Sequence, residues 1–232
     1  MTERDISPPE WVDQLQTTLE SFDEAGGHRI LNRVFEQFDV EDGLSQVVLP
    51  YLHHVGQRWE QGKIGVAQEH FASNVLRVRL SMMLHTERGG RGPVAVLACM
   101  PGEQHEFGLM AMALVLARLD WDVCYLGAST PTAEVGLTAR TLRPRAVVLS
   151  AHRRTSFAAH GPALRRLARV TPVHIAGPGA TDELASLCEA QLIVGTPVDG
   201  ARALHDTYVV RAGDLDELSH DVDDVDDVDD VG

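Results

Sequence analysis

The sequence predicts an α/β protein in which a four-helix bundle precedes a doubly wound, parallel sheet of five strands. Three observations carry that prediction. Apolar residues recur at helical spacing from residue 9 to 88. Glu87-Arg88-Gly89-Gly90-Arg91-Gly92-Pro93 then reads as a linker. Beyond it, short continuous apolar runs alternate with helical stretches, the pattern of strands buried on both faces. The 232 residues suit one large or two small domains. The expected division is 8–88 for the bundle, 93–210 for the Rossmann-like unit and 211–232 for a disordered acidic tail.

The first helix places Trp11, Leu15, Leu19 and Phe22 on one face at spacings of four, four and three. The second carries Ile30, Leu31, Val34, Phe35 and Phe38, and a turn over 39–43 is expected to end it. The third runs from about Leu44 to Gln61 with Val48, Leu52, Val55 and Trp59 on one side. Its Pro50 marks the first turn of the true helix, where proline is tolerated. The fourth runs from about Gly65 to His85. Strands are expected over 94–99, 121–126, 146–150, 172–176 and 192–194. Helices are expected over 107–119, 131–142, a stretch ending near Arg169, 181–190 and 198–208.

Composition excludes several classes. Hydrophobic residues make up 44% and charged residues 23%, so a globular core is expected rather than global disorder. No apolar run approaches the ~20 residues that cross a bilayer, and no signal-peptide pattern opens the chain. Three cysteines without a CxxC fit a reduced, cytoplasmic compartment. Of the net charge of -14, ten acids lie in 214–232, leaving 24 acids against 20 bases elsewhere. Neither part shows the basic excess of a nucleic-acid binder. The three-residue Asp-Asp-Val repeat of the tail is too poor in apolar groups to order itself, and it lacks the glycine and closing glutamate of an EF-hand loop.

In a doubly wound sheet, ligands bind beyond the carboxyl ends of the strands. The loop after the first strand reads Pro101-Gly102-Glu103-Gln104-His105-Glu106-Phe107-Gly108. A metal-bound imidazole usually donates its other N–H to a carboxylate, so Glu103 and His105 read as a supported metal ligand. Gly108 would let a large flat ligand approach the backbone. The bland alternative is a polar loop with a histidine by chance, since an acid-x-His-x-x-Gly match arises in roughly one chain in twenty of this length; its place at the carboxyl end of the first strand strengthens the metal-ligand reading.

The loop resembles that of the cobalamin-binding domain family, Asp/Glu-x-His-x-x-Gly. The resemblance implies that His105 is the lower cobalt ligand, with Glu103, Gln104 and Gly108 around the cofactor. Tyr125-Leu126-Gly127, Ser150 and Gly177-Pro178-Gly179 resemble the family's second, third and fourth strand ends. They imply cofactor contacts from Gly127, Ser150, Gly177 and Gly179. Ser150-Ala151-His152 departs from the common Ser-x-Leu, and Pro178 interrupts the usual glycine pair. In the bundle, Trp59 is followed, after nine intervening residues, by Glu69-His70. This resembles light-sensing domains of the CarH/LitR type, over about residues 10–210. It implies that Trp59, Val66, Glu69 and His70 face the upper, adenosyl side of adenosylcobalamin. That type carries a MerR-like DNA-binding domain, for which only about eight residues precede the first helix here. It also has a histidine after the tryptophan, where this chain has Glu60. His53, His54 and His70 are the substitutes considered for an upper ligand after light.

The resemblance implies a sensor that responds to photolysis of the Co–C bond by a change of conformation or assembly. The output would be a downstream protein, with a homodimer open and no direct contact with nucleic acid or membrane. It also extends to photocobilins, which implies a second, bilin chromophore such as biliverdin. Arg153 and Arg154, after His152, would then meet its propionates, although a solvated helix start fits them as well. The alternative function is a corrinoid protein that shuttles methyl groups for a methyltransferase.

Overall fold

A computed structural model describes residues 6–87 and 91–220, with side chains to residue 208. Helix α1 (Pro8–Glu20) opens with proline in its first turn and a capping box between Ser7 and Glu10. Trp11, Leu15 and Leu19 are buried along one face as their spacing requires. Phe22 is not on that face. It follows the helix end with φ +62°, is 52% exposed, and packs edge-on against Phe71. Helix α2 (Glu24–Gln37) is capped by Asp23, which accepts from the Gly26 N–H.

The turn expected over 39–43 is helical. Asp39 accepts from the Asp42 N–H and starts α3 (Val40–Gly43). A π-helical turn over Leu44–Val48 then leads into α4 (Leu49–Glu60), which has proline in its first turn. The wider π turn lies immediately before Pro50, which has no N–H to offer a regular helix. Helix α5 (Val66–Glu87) completes the bundle.

The sheet unit follows in strict alternation. Its elements are β1 (Val94–Cys99), α6 (Phe107–Arg118), β2 (Asp122–Gly127), α7 (Thr132–Leu142), β3 (Ala146–Ser150) and α8 (Arg154–Ala168). They continue as β4 (Val173–Ala176), α9 (Asp182–Cys188), β5 (Gln191–Leu192) and α10 (Pro197–His220). All pairings are parallel, in the order β2-β1-β3-β4-β5. The order reverses at β1, so the loop after β1 opens at the switch point of the sheet.

One core covers the α7, α8 and α9 face of the sheet. The other runs without a break from the bundle through α6 and α10 to the opposite face. Helix α6 is buried at every position from Leu109 to Ala117, because it lies between the sheet, α5 and α10. Helix α10 runs past the expected end at Tyr208, through residues 211–220 that were expected to be disordered. Ala212, Leu215, Glu217 and Leu218 are good helix formers, which favours that extension. The Asp-Asp-Val repeat from residue 221 lies outside the described residues. Among the described residues no helix is long and apolar enough to cross a membrane.

Candidate cofactor site

The β1–α6 loop is assembled around one carboxylate. Glu103 is 5% exposed, and its Oε1 accepts from both the backbone N–H of His105 (2.9 Å) and its ring Nδ1 (2.5 Å). Its Oε2 accepts from the backbone N–H of His152, at the end of β3 (2.6 Å). Burial alone would raise the Glu103 carboxyl, but these hydrogen bonds and the adjacent imidazole hold it below its ordinary value. The β2–α7 loop braces the same turn. Ser129 donates its N–H to the Glu103 carbonyl (2.9 Å), and its hydroxyl accepts from the Gly102 N–H (3.0 Å). Sequence reasoning missed Ser129, since its only local sign is a backbone at φ +49°.

The His105 side chain is 72% exposed, with Nδ1 engaged by Glu103, so Nε2 is the ring nitrogen left for a metal. That is the arrangement of a histidine that could hold a metal, with its supporting carboxylate. Among the described residues no three His, Cys, Asp or Glu side chains are grouped to hold an ion. A metal held by His105 would thus need its other ligands from beyond the described side chains. The nearby Cys99 thiol is pushed up to about 12 by burial and by the charges of Glu106 and Glu103, so it offers no competing thiolate.

A second buried carboxylate, absent from the sequence expectations, ties this loop to the bundle. Glu106 accepts from Arg77 Nε on α5 (2.7 Å) and from the Tyr125 hydroxyl on β2 (2.9 Å). Arg77 also lies over the Phe107 ring and donates to Asn74. Burial, then the Glu106 charge, holds the Tyr125 hydroxyl far above the usual tyrosine range, so it stays a donor. Arg77, Ser73, Glu69 and Val66 share one side of α5, within about 80° of each other. Glu69 stands about 12 Å and Val66 about 16 Å along the helix axis from Arg77. The helix side that reaches the loop of His105 is thus the side that carries Glu69 and Val66.

The α4–α5 corner holds Trp59 and Val66 at the surface, 48% and 52% exposed. Glu69 accepts from the Ser73 hydroxyl (2.7 Å) and lies 3.5 Å from the exposed His70. Arg58 to Glu20 (2.8 Å) and Gln68 to the Glu20 carbonyl (3.1 Å) fasten this corner to the end of α1. His54 belongs to a different seam, where its Nε2 meets Gln16 of α1 (2.8 Å), about 140° around α4 from Trp59. His53 bonds Gln57 at the surface, about 120° from Trp59. The structure does not bring either beside Trp59.

The remaining expected residues line the carboxyl edge of the sheet, and several have protein neighbours. Gln104 is exposed in the loop, and Gly127 ends β2 beside Glu106. A Cβ on Gly108 would meet the Pro197 ring at 3.3 Å, so this glycine makes room for the start of α10. A Cβ on Gly177 would come within 2.8 Å of the Ala151 carbonyl and 2.9 Å of the Ser150 hydroxyl, and one on Gly179 within 2.6 Å of Arg153. The Gly177-Pro178-Gly179 turn therefore packs on the backbone that leaves β3. Arg153 and Arg154 are exposed at the start of α8. The His152 ring, exposed like them, stacks on His105, with centroids 4.8 Å apart and planes at 30°.

The model of the B12 binding domain matches residues 11–83. Those residues belong to the B12 binding domain family. The chain is 34% identical over 183 residues, 77% of its length, to the HTH-type transcriptional repressor CarH of Myxococcus xanthus. It is also 34% identical over 163 residues, 68% of its length, to the HTH-type transcriptional repressor CarA of the same organism. It spans 61% and 55% of the length of these two relatives. The monomethylamine corrinoid protein of Methanosarcina barkeri superposes with a TM-score of 0.70 at 16% identity, over 87% of this chain and all of that one. That likeness is one of fold. The cofactor of this B12 binding domain is of the cobalamin type.

Proposed function

We propose that the protein is a cobalamin-dependent light sensor, with adenosylcobalamin held by His105 below and by Trp59, Val66 and Glu69 above. The observation that carries this reading is the placement of Glu69 and Val66 on the side of α5 that Arg77 ties to the loop of His105. Residues for both faces of one cofactor thus belong to a single mechanical unit. Kinship with two transcriptional repressors supports a regulatory rather than a catalytic role. When bound, the cofactor supplies a cobalt–carbon bond that light can break.

The chain's own residues supply geometry. Glu103 orients the imidazole of His105 and keeps its Nδ1 proton in place. The apolar Trp59 and Val66 favour a large upper group over water, since covering them removes apolar surface from solvent. A change in what touches Trp59, Val66 and Glu69 alters the free energy of the bundle position, which is the differential contact a switch requires. The output is a change in conformation or assembly read by a protein partner.

The test is a spectrum of the purified holoprotein in the dark and after blue-green light, without added enzyme, followed by scattering in both states. A light-dependent spectral and shape change is expected. A spectrum indifferent to light, with cobalt methylated by a partner methyltransferase instead, would favour a methyl carrier. Expression with biliverdin tests a second chromophore, for which Arg153 and Arg154 offer exposed cations at the carboxyl edge. A band beyond those of cobalamin that weakens in Arg153→Ala or Arg154→Ala is the expected sign.

A further inference from the structure

The imidazole of His152 is the unexplained group nearest to His105. It is exposed, and its ring lies stacked on the His105 ring. Its position is not loose. The Glu103 oxygen that does not hold His105 accepts the His152 backbone N–H at 2.6 Å, so one buried carboxylate sets both residues. The preceding Ala151 is pinned as well: it donates to the Ala176 carbonyl (3.3 Å) and accepts from the Gly179 N–H (2.9 Å). The His105 ring can turn only about its own side-chain bonds, and Nδ1 is held at a single point. A flat neighbour 4.8 Å away restricts the remaining rotation, the one that decides how Nε2 meets a metal.

We propose that His152 is a positioning residue for the lower cobalt ligand, and that its stacked ring fixes the plane of the His105 imidazole. The proposal rests on the reading of His105 as that ligand. It assigns His152 an aromatic role, so flatness matters and the ring nitrogens do not. Aromatic pairs contribute enough to change retention by about two- to tenfold.

The test compares wild type with His152→Ala, His152→Leu and His152→Phe, all at an exposed position that leaves the core intact. Cobalamin retention is measured by equilibrium dialysis. The cobalt(II) form is examined by electron paramagnetic resonance, where one axial nitrogen splits each line into three. His152→Ala and His152→Leu should weaken retention about two- to tenfold and broaden the nitrogen splitting, with the splitting still present. His152→Phe should restore both to near wild type. Wild-type behaviour of His152→Ala, or a Phe variant as weak as Ala and Leu, would overturn the proposal. A wild-type splitting that stays threefold when histidine is labelled with 15N, or no splitting at all, would refute the ligand reading beneath it.

Discussion

At the β1–α6 loop, a carboxylate with 5% exposure satisfies two backbone N–H groups and a ring nitrogen at once. At the α4–α5 corner, a tryptophan and a valine stand about half exposed, with polar ties to α1 around them. The difference lies in what each region needs from folding. The loop must present one nitrogen at one angle, and buried hydrogen bonds are directional enough to set it. The corner offers apolar surface, whose contribution comes from being covered and depends little on angle. One half of the proposed site is therefore set on folding, while the other responds to what lies against it.

The largest effect should come from removing the ligand itself. His105→Ala is expected to leave the cofactor with its own base or water below and to weaken cobalamin retention beyond the ~10–100-fold typical of a supporting residue. Its absorption spectrum and dialysis affinity check this, and wild-type values would break the comparison at its rigid end. Glu103→Gln keeps the shape but offers one weaker acceptor in place of a carboxylate, so retention should fall roughly 10–100-fold.

A pH scan of apoprotein stability tests the sheet that carries the loop. His174 on β4 is buried against the Tyr208 hydroxyl of α10, and burial lowers its pKa to about 4. The unfolded chain, with the ordinary value near 6.5, binds the proton first. Stability from this group is therefore complete above about pH 6.5 and is lost as pH falls toward 4, by up to about 3 kcal/mol. His174→Gln should flatten chemical denaturation midpoints across that window; an unchanged slope would remove the assignment.

Breaking the tie between the two regions should cost less. Arg77→Met leaves the Glu106 carboxylate with Tyr125 alone, for a loss of about 2 kcal/mol once the partial exposure of the arginine is allowed for. Thermal unfolding should fall by roughly 5 °C, and adding Glu106→Gln should recover part of it, because the unpaired charge is gone. The smallest effect is expected at the corner. Trp59→Ala should change apoprotein stability by no more than about 0.5 kcal/mol, yet narrow the preference for adenosyl over methyl and aqua cobalamins. Equal loss for all three forms would mean that Trp59 supports folding rather than the upper group.

Elements and the lower-ligand motif were legible because their signals are local. β1 and β3 read as unbroken apolar runs since both their faces are covered, and α1 reads from three buried positions on one side. Glu103 and His105 are two residues apart, so spacing alone could suggest their bond. Phe22 misled because helical spacing continued past a helix that had ended. The tie between Arg77, Glu106 and Tyr125 joins residues 29 and 19 positions apart. His152 reaches His105 across two strands of the sheet, and the glycines at 108, 177 and 179 answer to Pro197, Ala151 and Arg153. The sequence by itself determined the alternation of elements and the residue types at the carboxyl edge of β1, because periodicity and short spacing are properties of neighbours in the chain. Only the tertiary structure decided which helix side meets that edge and which ring lies on the ligand, because those contacts come from the parallel crossovers that bring distant strand ends together.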